Sequence, residues 1–209
     1  MSHICPTVTA SDLDEYGRQM NVVAKFADRI HIDMMDGKFA PTSSPSLDQV
    51  WWPTILKADL HLMYERPGED IEQIIKLQPN MAIIHYEADV DHMHFAAVMH
   101  QHGIRAGLAL LQKTSAQEVE AIIHSFDEVL IFSGDLGHHG GQADLSLLSK
   151  AQELKAYNSE VEVAWDGGIN VENADELAAG GVDVLNVGGY IHESPTPAKA
   201  YETLVGLKN

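Results

Sequence analysis

The sequence is poor in cysteine, in basic residues and in long apolar runs. Its only cysteine, Cys5, allows no internal disulfide, which points to a reducing compartment and a cytoplasmic setting. Lys and Arg number 13 against 31 Asp and Glu, a formal charge of −18. Such a surface repels phosphate backbones and anionic lipid, so neither nucleic acid nor membrane is an expected partner. No apolar run reaches the roughly 20 residues that span a bilayer. The start, Met1 to Pro6, lacks the basic and long apolar segments of a secretory signal. No linker, low-complexity tract or charge block divides the chain, so a single domain over residues 1–209 is expected.

Two things are abundant. Hydrophobic residues make up 45%, enough for a substantial core, and there are 12 histidines where about 5 would be ordinary. The apolar residues are rhythmic. Strand-like runs lie near 3–7, 28–34, 57–63, 81–86, 104–110, 128–133, 161–166 and 183–188, each followed by a helix-like stretch. This alternation predicts βαβ units and a parallel sheet. Eight units in 209 residues fit a small (β/α)₈ TIM barrel better than a doubly wound open sheet, which more often has five to seven strands. Ser11 is placed to cap a first helix with a stripe of Leu13, Tyr16, Met20, Val23 and Ala27. Asn170 is placed to cap a helix ending at Gly180-Gly181, and Thr196-Pro197 to open the last one.

Three runs carry polar residues where a covered strand should be apolar. The period of two puts His31 and Asp33 on one face, and groups Asp59, His61 and Met63. A third run ends in Asp166 followed by a glycine pair. All lie at strand C-terminal ends, where barrel enzymes hold their active sites. Converging there, two histidines and two carboxylates suit a divalent metal such as Zn²⁺, Mn²⁺, Fe²⁺ or Co²⁺. The plain alternative is a hydrogen-bonded polar cluster without metal.

These segments resemble a known family. His31 to Phe39 is similar to the H-x-D-x-M-D-G-x-F signature of ribulose-phosphate 3-epimerases, and Asp59 to Met63 to their D-x-H-L-M. His85-Tyr86-Glu87-Ala88 resembles the family's H-x-E-A, Gly107 to Leu110 its G-L-A-[LI], Gly140-Gly141-Gln142 its G-G-Q, and Asp166 to Ile169 its D-G-G-I. The resemblance implies a metal-dependent isomerase of carbohydrate metabolism, in the pentose phosphate pathway, that inverts C3 of a ketose phosphate through an enediolate. It implies His31, Asp33, His61 and Asp166 as metal ligands, with Asp33 and Asp166 also as the acid and base. It places Met35 and Met63 beside the reacting carbon, and Gly141, Gly168, Gly188 and Gly189 at the phosphate. It also implies self-association as a homo-oligomer.

The chain departs from the family pattern in four places. Thr7 stands where serine is usual, keeping a hydroxyl for the substrate. The fifth-strand loop reads Leu111 to Thr114 without the usual proline turn. The sixth-strand loop, Ser133 to Gln142, lacks the family's proline and phenylalanine and carries His138 and His139 instead. Either histidine is a candidate substrate contact or a solvated loop residue. Gly188-Gly189 replaces a usual G-S pair. The substrate therefore stays open between D-ribulose 5-phosphate and a relative such as allulose 6-phosphate. Hexulose-phosphate synthases and keto-gulonate-phosphate decarboxylases use D-x-K-x-x-D on the third strand, whereas this chain has Asp59, His61 and Tyr64. Lys113 as a Schiff-base lysine and a non-catalytic sugar-phosphate binder complete the alternatives.

Overall fold

The computed structural model describes residues 2–138 and 140–207. Every expected run is a strand: β1 (His3–Thr9), β2 (Arg29–Met35), β3 (Lys57–Met63), β4 (Met81–His85), β5 (Arg105–Leu110), β6 (Glu128–Phe132), β7 (Glu162–Asp166) and β8 (Val184–Val187). Each pairs in parallel with the next, and β8 closes on β1. The result is a (β/α)₈ barrel, since an open sheet would leave two unpaired edges and this ring leaves none.

The helices are α1 (Leu13–Val23), α2 (Ile71–Leu77), α3 (His92–Gln101), α4 (Ser149–Tyr157), α5 (Ala174–Ala179), α6 (Gly189–His192) and α7 (Pro197–Gly206). The β2–β3 connection, with Pro41, Pro45 and Pro53, has no helix among the described residues. The β5–β6 connection has only the 3₁₀ turns Ala116–Val119 and Ile123–Ser125. Asp12, not Ser11, caps α1; its carboxylate accepts the Glu15 N–H at 2.8 Å, and a full charge suits a helix N-terminus better than a hydroxyl. The buried stripe keeps Tyr16, Met20 and Val23, while Leu13 is exposed and Ala27 lies past the helix end. Asn170 holds the turn before α5 by accepting from Glu172 N, and α5 itself starts at Ala174. Gly181 (φ +101°), rather than Gly180, takes the left-handed conformation after α5. Pro197 opens α7 as expected.

One face of each strand packs under the helices in the main core, through residues such as Ile30, Ile32, Leu60 and Leu62. The other face fills the barrel in steps of two residues. Its middle is apolar, with Cys5, Met81, Ile83, Ala109, Leu130, Ala164 and Val184. Gly107 belongs to this layer for want of space: a Cβ there would stand 2.6 Å from Ile83 Cγ1. Below lies a polar foot. Arg29 donates to Asp59 at 2.5 Å, and to Glu128 and Glu162 at 3.0 Å each. Asn80 also reaches Asp59 at 2.5 Å, and Arg105 reaches Glu162 at 2.8 Å. Asp59 thus shares the inward face expected for it, but it stands at the foot with Arg29 and not with His61 and Met63 at the mouth. Above the apolar layer the polar residues return.

Candidate active site

The mouth is built from the C-terminal ends of strands. β2 brings His31 and Asp33, β3 brings His61, and β7 brings Asp166. His61 Nδ1 lies 2.9 Å from Asp33 Oδ1 and 3.8 Å from Asp166 Oδ2. His31 Nε2 lies 3.2 Å from Asp33 Oδ1 and 3.7 Å from Asp166 Oδ2. One ligand atom from each of the four sits within 4.8 Å of all the others. All four residues are buried.

The electrostatics are uneven. Burial opposes charge on His31, but Asp33 and Asp166 outweigh it and raise its pKa to about 9. Burial, aided by the neighbouring His85 and His31, pushes His61 down to about 3 against the pull of Asp33. Burial favours neutral Asp33, yet His31 and His61 hold it well below the usual carboxylate range. Burial and then the charge of Asp33 push Asp166 up to about 7. Two carboxylates at one point with pKa values driven apart are arranged for acid and base work. The donor set also fits a divalent cation. His31 Nε2 is buried without a hydrogen bond, and two imidazole nitrogens with two carboxylate oxygens match Zn²⁺, Mn²⁺, Fe²⁺ or Co²⁺.

A cavity of about 280 Å³ opens above the centre, with Asp33 and Asp166 in its wall. Thr7, Met63, His138, Gly141, Gly168, Gly188 and Gly189 line it. Met35 does not; it is packed behind the wall with Met63 and Ala40. His139 lies outside the described residues. Gly168 (φ +70°) accepts no side chain, because a Cβ would stand 2.0 Å from Ala143 N in the sixth-strand loop. That loop is tied across the mouth by Thr42, whose hydroxyl donates to Gly137 O at 2.7 Å. None of the described lining residues is Lys or Arg, and Glu193 adds an acid.

Several further polar and aromatic residues lie away from the centre. Asp91 caps α3, and His100 pairs with Asp127 at 2.8 Å. Lys113 is exposed and does not line the cavity. Trp51 is exposed, with its ring edge-on to Tyr16 and its carbonyl accepting from Tyr16 Oη at 2.6 Å. Sequence reasoning missed Thr9, whose hydroxyl donates to Asp33 Oδ2 at 2.5 Å. It also missed Asn186, whose buried Nδ2 is unpartnered in the cavity wall. The period of two from Thr7 points at Thr9, and Asn186 is the one polar residue of β8.

The sequence profile of the Ribulose-phosphate 3 epimerase family matches residues 3–192. The chain belongs to that family. A ribulose-phosphate 3-epimerase of Bacillus subtilis is 31% identical over 218 residues, covering 100% of both chains. One from Helicobacter pylori J99 is 32% identical, covering 99% of this chain and 96% of its own. A crystal structure of 3-hexulose-6-phosphate synthase superposes with a TM-score of 0.74 over 98% of each chain at 15% identity, a likeness of fold. His31, Asp33, His61 and Asp166 form a buried cluster that could hold a metal ion.

Proposed function

We propose that this family member is a sugar-phosphate isomerase that interconverts D-ribulose 5-phosphate and D-xylulose 5-phosphate, with a divalent cation held by His31, Asp33, His61 and Asp166. The observation that carries this reading is the meeting of those four groups at one point, with Asp33 and Asp166 in the cavity wall. The names of the full-length relatives support the substrate. Bound there, the cation would supply charge stabilisation as the proton alpha to the substrate carbonyl leaves.

The protein's own groups do the rest. One of Asp33 and Asp166 removes the C3 proton, and the other delivers a proton to the opposite face. The Thr9 hydroxyl fixes Asp33 by occupying Oδ2. Met63 and Phe132 cover the reacting carbon from water, and Met63 adds polarizable packing. Thr7 and His138 contact substrate hydroxyls. The phosphate rests on the backbone of Gly141, Gly168, Gly188 and Gly189, which answers the lack of lining Lys and Arg. A cytoplasmic setting fits the buried free thiol of Cys5, and self-association fits the exposed Trp51 and Ile55.

A second substrate, a six-carbon ketose phosphate such as allulose 6-phosphate, is favoured by one feature. The rebuilt sixth-strand loop supplies Gly137 and His138 to the cavity wall. The test is epimerisation of both sugars in ²H₂O, as purified, after chelation, and with Zn²⁺, Mn²⁺, Fe²⁺ or Co²⁺ restored. Deuterium should enter C3, be lost on chelation and return with metal, fastest for the five-carbon sugar. Exchange that survives full chelation would refute the metal role, and faster exchange in the six-carbon sugar would reassign the substrate.

A further inference from the structure

Behind the centre, on the side away from the cavity, lies a second buried chain of polar groups. His85, at the end of β4, is fully buried, and its Nε2 stands 2.9 Å from His61 Nε2. The Phe39 ring packs at 4.7 Å and the Phe132 ring at 6.1 Å from its centroid, walling it off. His85 Nδ1 is buried without a hydrogen bond, 3.5 Å from Glu87 Oε2. The other oxygen of Glu87 accepts the Leu111 N–H at 3.0 Å and the Thr114 hydroxyl. Lys150 pins that loop by donating to the carbonyls of Leu111, Gln112 and Thr114 at 3.1, 2.9 and 2.7 Å. Glu87 is thereby a fixed carboxylate aimed at an orphaned ring nitrogen.

Two neutral imidazoles that meet through Nε2 share one proton between those atoms. With the His61 proton on Nδ1, donating to Asp33 Oδ1 at 2.9 Å, His61 Nε2 must accept and His85 must carry its proton on Nε2. His85 Nδ1 is then bare and faces the Glu87 carboxylate, acceptor to acceptor. This accounts for the missing hydrogen bond and the 3.5 Å gap. The lone pair of His61 Nδ1 is the one directed at Asp33 and Asp166, so a cation there requires the His61 proton on Nε2.

We propose that His85 and Glu87 are positioning residues that set the tautomer of His61, and that both rings switch together when a divalent cation binds. The His85 Nε2 proton passes to His61 Nε2 across their contact, the cation displaces the His61 Nδ1 proton to solvent through the cavity, and His85 Nδ1 takes one from solvent by way of the part-exposed Glu87 carboxylate. Each ring keeps one proton, and no charge changes on either. Glu87 accepts the new Nδ1–H of His85, so the arrangement with a carboxylate behind the ligand histidine exists only in the loaded state. The inference rests on the proposed cation site at His61.

The test uses the full chain without metal, Zn²⁺ as the probe, and ¹⁵N spectra of the histidine rings. Without metal, His61 should be the Nδ1–H form and His85 the Nε2–H form; with Zn²⁺ both should exchange forms. Chelator competition should show Zn²⁺ binding weakened about 10–100-fold in His85→Phe and in Glu87→Gln. The Gln amide can donate to bare Nδ1 and favours the metal-free form. His85→Gln, which can still accept from His61 Nε2–H, should recover part of the loss. Zn²⁺ binding at wild-type affinity in His85→Phe, or a His85 that keeps its Nε2 proton in the loaded protein, would overturn the relay while leaving the cation site intact. A wild-type chain that binds no Zn²⁺ would overturn both.

Discussion

The barrel holds two buried polar clusters on one set of inward faces, and they are finished in opposite ways. At the foot, Arg29 hydrogen-bonds Asp59, Glu128 and Glu162 at once, with Arg105 behind Glu162. At the mouth, Asp33 and Asp166 meet no Lys or Arg among the described residues, and the ring nitrogens beside them are those of His31 and His61. Between them lies the apolar layer of Leu130, Ala164 and Ile83. A buried carboxylate is costly unless it is paired. The foot pairs its carboxylates with arginine, whereas the mouth leaves its two to histidines, at the point where we propose a divalent cation. The comparison separates a cluster that supports the fold from one that supports chemistry.

The strongest expected break of this comparison is at the mouth. Asp33→Asn and Asp166→Asn should each lower epimerase turnover by about 10²–10⁴-fold. In metal-free protein, Asp166→Asn should leave the Tm unchanged or higher, since burial and Asp33 already disfavour the charged form. Thermal melts beside steady-state rates would check this, and a folded Asp166→Asn with normal turnover would end the two-carboxylate reading. At the foot the balance should reverse. Arg29→Met leaves three carboxylates without their main partner and should cost about 3–5 kcal/mol in urea unfolding. Whatever fraction stays folded should retain its kcat. A loss of activity without a loss of stability would mean that the two clusters communicate.

A smaller effect concerns pH. Burial, opposed by Arg29, raises Glu128 from 4.5 to about 8, so folding takes up a proton there. Its stabilising contribution is full below about pH 4.5 and is lost as pH rises through about 8. Glu162 runs the other way. Arg29 and Arg105 overcome burial and hold it near 2, so its contribution is present above about pH 4.5 and is lost as pH falls through about 2. Glu128→Gln should flatten the decline in Tm between pH 5 and 8 while leaving the acid limb in place. An unchanged slope across that interval would show that the Glu128 carboxyl does not titrate there.

Much of this was legible in the chain. Eight apolar runs became eight strands because covered parallel strands need continuous hydrophobic residues. His31, Asp33, His61 and Asp166 stood out because they interrupt those runs. What could not be read was depth and company. Asp59 shares a face with His61, yet one step of two residues moves it from the mouth to the foot. Its partner Arg29 lies one strand away, and Glu128 and Glu162 lie across the barrel. His85 carried a motif but no role, because its ring partner His61 comes from β3 and its neighbour Glu87 is fixed by the loop after β5.

The sequence by itself determined the period, and through it the fold class, the inward faces and the residue types at the strand ends. These follow from local rules, since hydrophobic alternation and strand geometry act over a few residues. Only the tertiary structure decided which acids pair with arginine and which sit beside histidines, and where Glu87 points. Closing the barrel fixes those pairings, because it sets the height of each strand against the others and brings together residues more than a hundred positions apart, such as Asp33 and Asp166.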